Sequence, residues 1–178
     1  RLVFLSNVPQ NFNRNDYVSC ISVNERENGT NTGRMIGEYL KDKAHAKVGF
    51  IIHGAMFYGT TERDNYAEKT LRESYPNIEI IARKGFIQIE NAYKVCLEMV
   101  TEHPDIQALY VSWDRPALLA IKALKALNRT DIAVFTTDLD FEIADEMNKG
   151  FVKGLSTQRP YDQGKAAALA VAKSLVSD

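Results

Sequence analysis

Residues 108–124 read ALYVSWDRPALLAIKAL, in which a short apolar run leads directly into a segment of helical period. The run at 108–112 is apolar at nearly every position, as is typical of a strand buried on both faces of a sheet. In the remainder, leucine, isoleucine and alanine recur every three or four residues, and Pro116 suits a first helical turn because its missing N–H needs no partner there. The stretch therefore predicts a strand followed by a helix, with Trp113 and Asp114 at the junction.

The same alternation of strand-like and helix-like segments continues in both directions along the chain. Regular alternation of this kind is the pattern of parallel strands joined by helices. We therefore predict an α/β fold, with a parallel sheet flanked by helices on both faces. Strands are predicted at residues 2–6, 18–23, 47–52, 78–83, 108–112, 132–137 and 153–157. Helices are predicted at residues 27–43, 61–75, 89–102, 116–127, 140–149 and 161–176.

Size and composition narrow the possible classes of protein. The chain has 178 residues, which is enough for one well-packed domain. Hydrophobic residues make up 45% and charged residues 25%, which argues against a disordered chain, and no stretch reaches the roughly 18 to 20 apolar residues of a membrane-spanning helix. The net charge is −1 and the basic residues are scattered, so no nucleic-acid partner is expected for this chain. Cys20 and Cys96 are expected to be buried thiols rather than a disulfide.

Hydrogen-bonding or aromatic side chains follow nearly every predicted strand. Ligands of open α/β sheets bind outside the carboxyl ends of the strands, so these side chains are candidates for a binding site. Sugars suit such a set, because their C–H groups stack on aromatic rings while their hydroxyls take hydrogen bonds. The expected ligand is therefore a small sugar or polyol. The candidates are Ser6, Asn7, Arg63, Phe86, Trp113, Asp114, Asp138 and Gln158.

Several of these residues also have a purely structural interpretation. Trp113 could belong to the core or to an interface, Asp114 could be the N-cap of the following helix, and Arg63 could be a member of a surface ion pair. Asp138 and Gln158 are harder to explain in this way, because a polar group that ends a buried strand needs a partner.

The loop GAMFYGTT at residues 54–61 comes close to a phosphate-binding loop between a strand and a helix. Thr60 stands where that motif has its lysine, so nucleotide hydrolysis is not expected. Gly59 is instead predicted to form a tight turn, and Thr60 or Thr61 to cap the helix that follows. The two aromatic residues of the loop are left open as either packing or a wall for a ligand.

Acid–base chemistry would rest on Asp138, Asp140 and His53. Asp140 is well explained as a helix N-cap, and His53 has no obvious nucleophile partner. No cysteine or histidine spacing of a metal site is present. We therefore predict no enzyme activity, no catalytic residue, no metal and no cofactor.

Five segments together resemble the type 1 periplasmic binding proteins, specifically the sugar-binding subunits of bacterial ABC transporters. The segments are ISVNERENGTNTGRMIGEYL, VGFIIHG, ALYVSWDRPALLAIKAL, AVFTTDLDFEIADEMNKG and GLSTQRPYDQGKAAALAVA, in this order. The resemblance implies two α/β lobes that enclose a sugar, delivery of the sugar to a membrane permease, and no chemistry on the ligand. It also implies a location outside the cytoplasm, in the periplasm or as a cell-surface lipoprotein.

The resemblance also implies roles for individual residues. Asp138 resembles the sugar-binding aspartate of the family, and Gln158 matches the glutamine before the proline that opens the last helix. Arg63 looks like the arginine near the start of the helix that follows the first strand of the second lobe, although the loop length leaves Thr61 as an alternative.

At other positions the chain departs from the pattern of the family. Trp113 lies where many members have an asparagine, and Asp114 represents the aspartate that follows it. Ser6 and Asn7 lie where the first lobe often has Asp-Arg. Trp113 in particular favours a ligand with more apolar surface or a smaller polyol.

By the same resemblance, residues 1–20 are expected to be a remnant of the first lobe with a crossover, and residues 21–178 the second lobe. A dimer through surface left bare by missing sequence is then a possibility. The main rival interpretation is the effector-binding domain of a LacI-type repressor, which would be cytoplasmic. A small α/β enzyme that uses Asp138 and His53 is the second rival.

Overall fold

Seven strands and six α-helices alternate in the computed structural model, which describes residues 1–9, 11–55 and 57–176. The strands are β1 Val3–Leu5, β2 Ser19–Ile21, β3 Ala46–His53, β4 Ile78–Phe86, β5 Ala108–Val111, β6 Ala133–Thr137 and β7 Val152–Ser156. The helices are α1 Glu25–Leu40, α2 Tyr58–Ser74, α3 Asn91–Glu102, α4 Asp114–Ala126, α5 Phe141–Asn148 and α6 Pro160–Val176, and a short 3₁₀ turn covers Arg14–Asp16.

These elements match the predicted order, and the α/β prediction is confirmed. Five strands form one sheet in the order β4-β3-β5-β6-β7, with every neighbouring pair parallel. Two boundaries differ in ways that matter for the site. Helix α2 begins at Tyr58 rather than at residue 61, and β4 continues to Phe86, where it pairs with His53 at the end of β3.

The structure divides the chain into two compact units, residues 25–157 and residues 1–24 with 158–178. The first unit contains the five-stranded sheet and α1 to α5. In the second unit, β1 pairs with β2 in parallel and α6 packs against both strands. The expected boundary at residue 20 stays a prediction, and the final helix belongs to the same compact unit as the first two strands.

The core of unit 25–157 lies on both faces of the sheet, because side chains alternate between the faces along each strand. On β5, Leu109 and Val111 pack with α3 and α4, whereas Ala108 and Tyr110 pack with α1 and α2. All four of these residues are buried. This is why the quoted segment is apolar at successive positions rather than at alternate ones.

Three glycines spaced four residues apart let α1 pack closely on α2. Gly29, Gly33 and Gly37 lie on one face of α1, and a Cβ atom at the first two positions would overlap backbone atoms of Arg63 and Ala67 in α2. Backbone cannot move aside as the end of a flexible side chain can. The glycines therefore set the distance between the two helices, and one of them touches the carbonyl of a predicted binding residue.

We expect Gly29→Ala to destabilise the folded chain. Alanine favours a helix by about 1 kcal/mol over glycine, but overpacking against fixed backbone costs up to about 3 kcal/mol, so the net loss is about 2 kcal/mol. Urea denaturation followed by circular dichroism measures the difference. Gly164→Ala in α6 is the control, because a Cβ there meets nothing within 4 Å, and this variant should gain stability. Equal gains for both variants would contradict the close packing.

The two ends of unit 25–157 are tied together by side-chain hydrogen bonds. The Ser156 hydroxyl at the end of β7 donates to the Asn28 carbonyl in the first turn of α1, at 3.1 Å. It also lies 3.0 Å from the Thr32 hydroxyl one turn later. The last strand of the sheet is thus joined to the first helix of the unit.

Other expectations from the sequence concern single residues. Asp140 is the N-cap of α5 as predicted, with its carboxylate accepting from the Ile143 N–H at 2.8 Å. Gly150 follows the end of α5 with φ +84°, a conformation that suits glycine. Cys20 and Cys96 are free thiols, the first half-buried and the second buried. Within residues 1–9, 11–55 and 57–176, no helix has the length and apolar character to span a membrane.

Candidate ligand-binding site

The carboxyl ends of β3, β5 and β6 open onto a cleft of about 470 Å³ within unit 25–157. Its lining includes the charged residues Arg63 and Asp138 and the aromatic residues His53, Phe57 and Trp113. A larger depression of about 660 Å³ lies in the other unit, between α6 and the start of the chain, and contains none of the predicted site residues. The smaller cleft is therefore the candidate site, as the strand-end rule predicts.

Arg63 is buried at the base of the cleft, with only 3% of its surface exposed. Its Nε donates to a Glu25 carboxylate oxygen at 2.8 Å. Its Nη1 donates to the Ser112 carbonyl at 3.0 Å, to the Thr137 hydroxyl, and to Asp138 at 3.3 Å. Burial opposes its charge, but the Glu25 hydrogen bond and the Asp138 carboxylate outweigh burial and raise the Arg63 pKa.

The other terminal nitrogen of Arg63, Nη2, donates to no residue in the described part of the chain. A guanidinium carries five N–H donors, and Nη2 is not among the buried atoms that lack a partner, so it is open to solvent. Arg63 also lines the cleft. Nη2 is therefore available to a ligand, while the rest of the group is held in place by protein.

Asp138 ends β6 in a backbone conformation that few residues adopt. Its φ is +66°, and its N–H donates to the Ser156 carbonyl at 2.8 Å, which holds the chain in that conformation. The side chain is 27% exposed and pairs with Arg63. Aspartate tolerates the left-handed region better than most residues, and backbone strain of this kind concentrates at functional sites.

Four aromatic rings pack together and form an aromatic wall of the cleft. The His53 ring stacks on Phe57 with centroids 5.1 Å apart, and it meets Phe86 and Trp113 edge-on at 5.5 Å and 5.4 Å. Phe86 also contacts Trp113 at 5.3 Å. Phe86 is only 2% exposed, so it supports the wall from behind, whereas the other three rings line the cleft.

Asp64, the neighbour of Arg63, lies beneath the cleft. One of its carboxylate oxygens accepts hydrogen bonds from the Tyr110 hydroxyl at 2.8 Å and the Ser112 hydroxyl at 2.7 Å. Asp64 is 1% exposed, and burial raises its pKa to about 6 despite these two hydrogen bonds. Ser112 thus contacts both charged groups: its hydroxyl donates to Asp64, and its carbonyl accepts from the guanidinium of Arg63.

Asp114 does not take the cap position that the sequence suggested. Helix α4 has Trp113 at its N-cap without a side-chain hydrogen bond, and Asp114 is the first helical residue. Its carboxylate accepts from the N–H of Arg115 at 2.7 Å, and burial together with nearby Asp140 raises its pKa. The N-cap interpretation of Asp114 is therefore wrong, and Asp114 does not line the cleft.

The predicted cap at the start of α2 is also wrong. The helix begins at Tyr58, so Gly59 and Thr60 lie in its first turn and Thr61 follows them. The Thr60 hydroxyl donates to the Phe57 carbonyl at 3.1 Å instead of accepting from a helix N–H. Thr60 lines the cleft beside Arg63, whereas Thr61 does not.

Ser6, Asn7 and Gln158 belong to the other compact unit. Ser6 follows β1 with φ +70°, and its N–H donates to the Ile21 carbonyl at 2.8 Å. Asn7 is exposed, and Gln158 accepts from the Gln163 amide at 3.5 Å. Binding roles for these three residues stay predictions.

Sequence reasoning missed three residues that shape the site. Glu25 orients Arg63, and Asp64 and Ser112 support it from below. His53 was considered only as a base, yet its Nε2 lies 3.3 Å from the Ile87 carbonyl and its ring packs in the aromatic wall. Its place directly after a buried strand was the one signal in the sequence that could have identified it as a wall residue.

Comparison with known proteins identifies the family of the chain. The profile of the periplasmic binding protein domain matches residues 6–177. The chain belongs to this family. Among periplasmic binding proteins, the ABC transporter periplasmic-binding protein YphF of Escherichia coli is 27% identical over 139 residues, which are 76% of this chain and 42% of that protein. The resemblance found from the sequence segments is thereby confirmed.

Solved structures show the same type 1 periplasmic binding protein fold. GanP, a glucose-galactose binding protein of Geobacillus stearothermophilus, superposes with a TM-score of 0.84 at 21% identity, over 99% of this chain and 62% of that one. A carbohydrate transporter solute binding protein of Agrobacterium radiobacter, in complex with D-arabinose, gives 0.83 at 18% identity, over 97% and 60%. The chain therefore spans about two fifths to three fifths of the length of these periplasmic binding proteins.

Proposed function

We propose that the protein binds a small sugar or polyol in the cleft at the carboxyl ends of β3, β5 and β6. It then delivers the ligand to the permease of an ABC transporter, outside the cytoplasm and without chemistry on the ligand. A ligand that stabilises one conformation of the protein would provide the signal that a permease recognises.

The observation that carries the proposal is the arrangement of Arg63 against the aromatic wall. A guanidinium and a carboxylate that are held by protein can take sugar hydroxyls in charge-assisted hydrogen bonds. The rings of His53, Phe57 and Trp113 offer a surface for the C–H face of the same ligand. Protein groups occupy Nε and Nη1 of Arg63 and leave Nη2 for the ligand.

The relatives support transport rather than the alternatives. The proteins compared above are named as transporter or sugar-binding proteins, whereas a LacI-type effector domain has no specific support. His53 contacts the Ile87 carbonyl and not a carboxylate, so it does not form the acid–base pair that an enzyme would use.

Calorimetric titration of the full-length protein tests the proposal. The panel is D-ribose, D-xylose, L-arabinose, D-glucose, D-galactose, L-rhamnose, ribitol and xylitol. We expect saturable binding of at least one of these compounds at one site. Absence of binding by any of them would contradict the proposed function.

Asp138→Asn should weaken binding of the same compound by about 100-fold, because the amide loses the charge that strengthens a hydrogen bond to a hydroxyl. Asparagine tolerates the positive φ of this position, so the backbone is preserved. Asp131→Asn is the matched control at the opposite end of β6, where the aspartate pairs with Arg129 and is exposed. If Asp138→Asn binds the compound with wild-type affinity, Asp138 is not part of the binding site.

A further inference from the structure

His53 carries a buried polar atom that has no hydrogen-bond partner. Its Nδ1 is shielded from solvent, and no residue of the described chain donates to it or accepts from it. No other side-chain nitrogen or oxygen in the described residues is both buried and unpartnered in this way. Buried polar groups in folded proteins are nearly always paired, so an exception needs an explanation.

The contacts of the His53 ring decide whether Nδ1 is a hydrogen-bond donor or an acceptor. Nε2 lies 3.3 Å from the Ile87 carbonyl, and a carbonyl oxygen can only accept. Nε2 therefore carries the proton, and in the neutral ring Nδ1 is left with a lone pair. The wall thus contains a hydrogen-bond acceptor that lacks a donor.

Packing alone does not account for a histidine at this position. The ring is surrounded by Phe57, Phe86 and Trp113, none of which donates to Nδ1. A phenylalanine, although somewhat larger, would also offer an aromatic ring to these three neighbours and would carry no buried acceptor. An unpaired buried acceptor destabilises the folded chain, so the nitrogen is expected to be used in another state of the protein.

The same cleft is lined by two residues whose donors lack a protein partner. Arg63 Nη2 and the indole N–H of Trp113 donate to no residue of the described chain. A sugar hydroxyl can both donate and accept, so one polyhydroxyl ligand can satisfy two donors and one acceptor together. An apolar ligand, or one that only accepts, would leave Nδ1 unpaired.

We propose that His53 is a specificity-determining residue whose Nδ1 accepts a hydrogen bond from a ligand hydroxyl. The inference rests on the proposed function, since it requires a hydroxyl-bearing ligand in this cleft. Nδ1 becomes accessible only when a ring around it moves, and Phe57, which stacks on the imidazole, is 61% exposed.

His53→Phe separates this role from a structural one. The variant keeps an aromatic ring and removes both ring nitrogens, of which only Nδ1 lacks a protein partner. The compound of the sugar and polyol panel that binds the wild type should therefore bind about tenfold more weakly or worse. The melting temperature without ligand should stay close to that of the wild type, because removal of the unpaired acceptor offsets loss of the Nε2 hydrogen bond to Ile87. His45→Phe, just before the same strand, is the matched control and should leave affinity unchanged.

A second measurement uses the wild-type protein with ¹⁵N-labelled histidine. Saturation with the same compound should move the Nδ1 resonance of His53, which His53→Phe identifies by its absence. If His53→Phe lowers the melting temperature, the affinity of the variant is set aside and the NMR titration of the wild-type protein tests the inference. A resonance that does not move then overturns it.

The possible failures are distinguishable. Wild-type affinity in His53→Phe overturns the role of His53 and leaves the proposed function standing. Absence of binding by the wild-type protein to every compound of the panel overturns the proposed function and this inference with it.

Discussion

Replacing Arg63 with alanine is expected to destabilise the folded chain by about 3–5 kcal/mol, the usual effect of removing one partner of a buried ion pair. Arg63 is 3% exposed and donates to Glu25, Asp138 and the Ser112 carbonyl. Without the guanidinium, the Glu25 carboxylate, which is 14% exposed, is left in a largely dry environment with no counter-charge. Urea denaturation of the parent and the variant measures the loss.

Arg72→Ala is the matched control on the same helix. Arg72 also pairs with a glutamate, Glu68, but its side chain is 59% exposed. Exposed pairs of this kind contribute about 0.3–0.5 kcal/mol, so this variant should remain close to the parent. A loss for Arg63→Ala as small as that for Arg72→Ala would show that the network around Arg63 does not hold the fold.

Asp64→Asn is expected to remove a pH dependence of stability worth about 3 kcal/mol. The pKa of Asp64 is about 6 in the folded chain, against an ordinary value of 3.8. Between these pH values the folded chain keeps a proton that the unfolded chain has released. Stability therefore falls as the pH rises from about 4 to about 6, because the charged form is disfavoured by burial.

Asparagine at this position keeps an oxygen that can accept from Tyr110 and Ser112 but does not titrate. Relative to the parent, Asp64→Asn should gain about 3 kcal/mol of unfolding free energy between pH 4 and pH 7.5. Urea denaturation at the two pH values measures it. Asp42→Asn, at an exposed position after α1, should show the same difference from the parent at both pH values. A constant difference for Asp64→Asn as well would contradict the raised pKa.

The fold could be predicted because the burial of its central strands is visible in their sequence. Every residue of β5 and β6 is buried, and apart from Thr136 and Thr137 the sequence is apolar there. The start of α2 could not be predicted in the same way, because threonine at residues 60 and 61 suits a cap as well as a first turn. Tertiary packing decided between the two, as it often does for local signals.

The site could be predicted only in part for a related reason. Asp138 and Trp113 follow buried strands, so their position at the sheet edge is visible in the sequence. Glu25 contacts Arg63 across 38 residues, and Asp64 contacts Tyr110 across 46. Helical and strand periodicity relate residues only a few positions apart, so they cannot predict contacts between residues this distant in sequence. The glycine spacing of α1 was the only hint that this helix presses on α2.

The hydrogen bond from Ser156 to the Asn28 carbonyl keeps the two ends of residues 25–157 beside each other. A segment whose two ends are adjacent has the topology of an inserted domain. Such a domain can be inserted at a single loop of another domain. Residues 25–157 therefore leave and rejoin the rest of the chain at neighbouring points. Arg63, Asp138 and the aromatic wall all lie within these residues, so the candidate cleft is built from one continuous stretch of sequence.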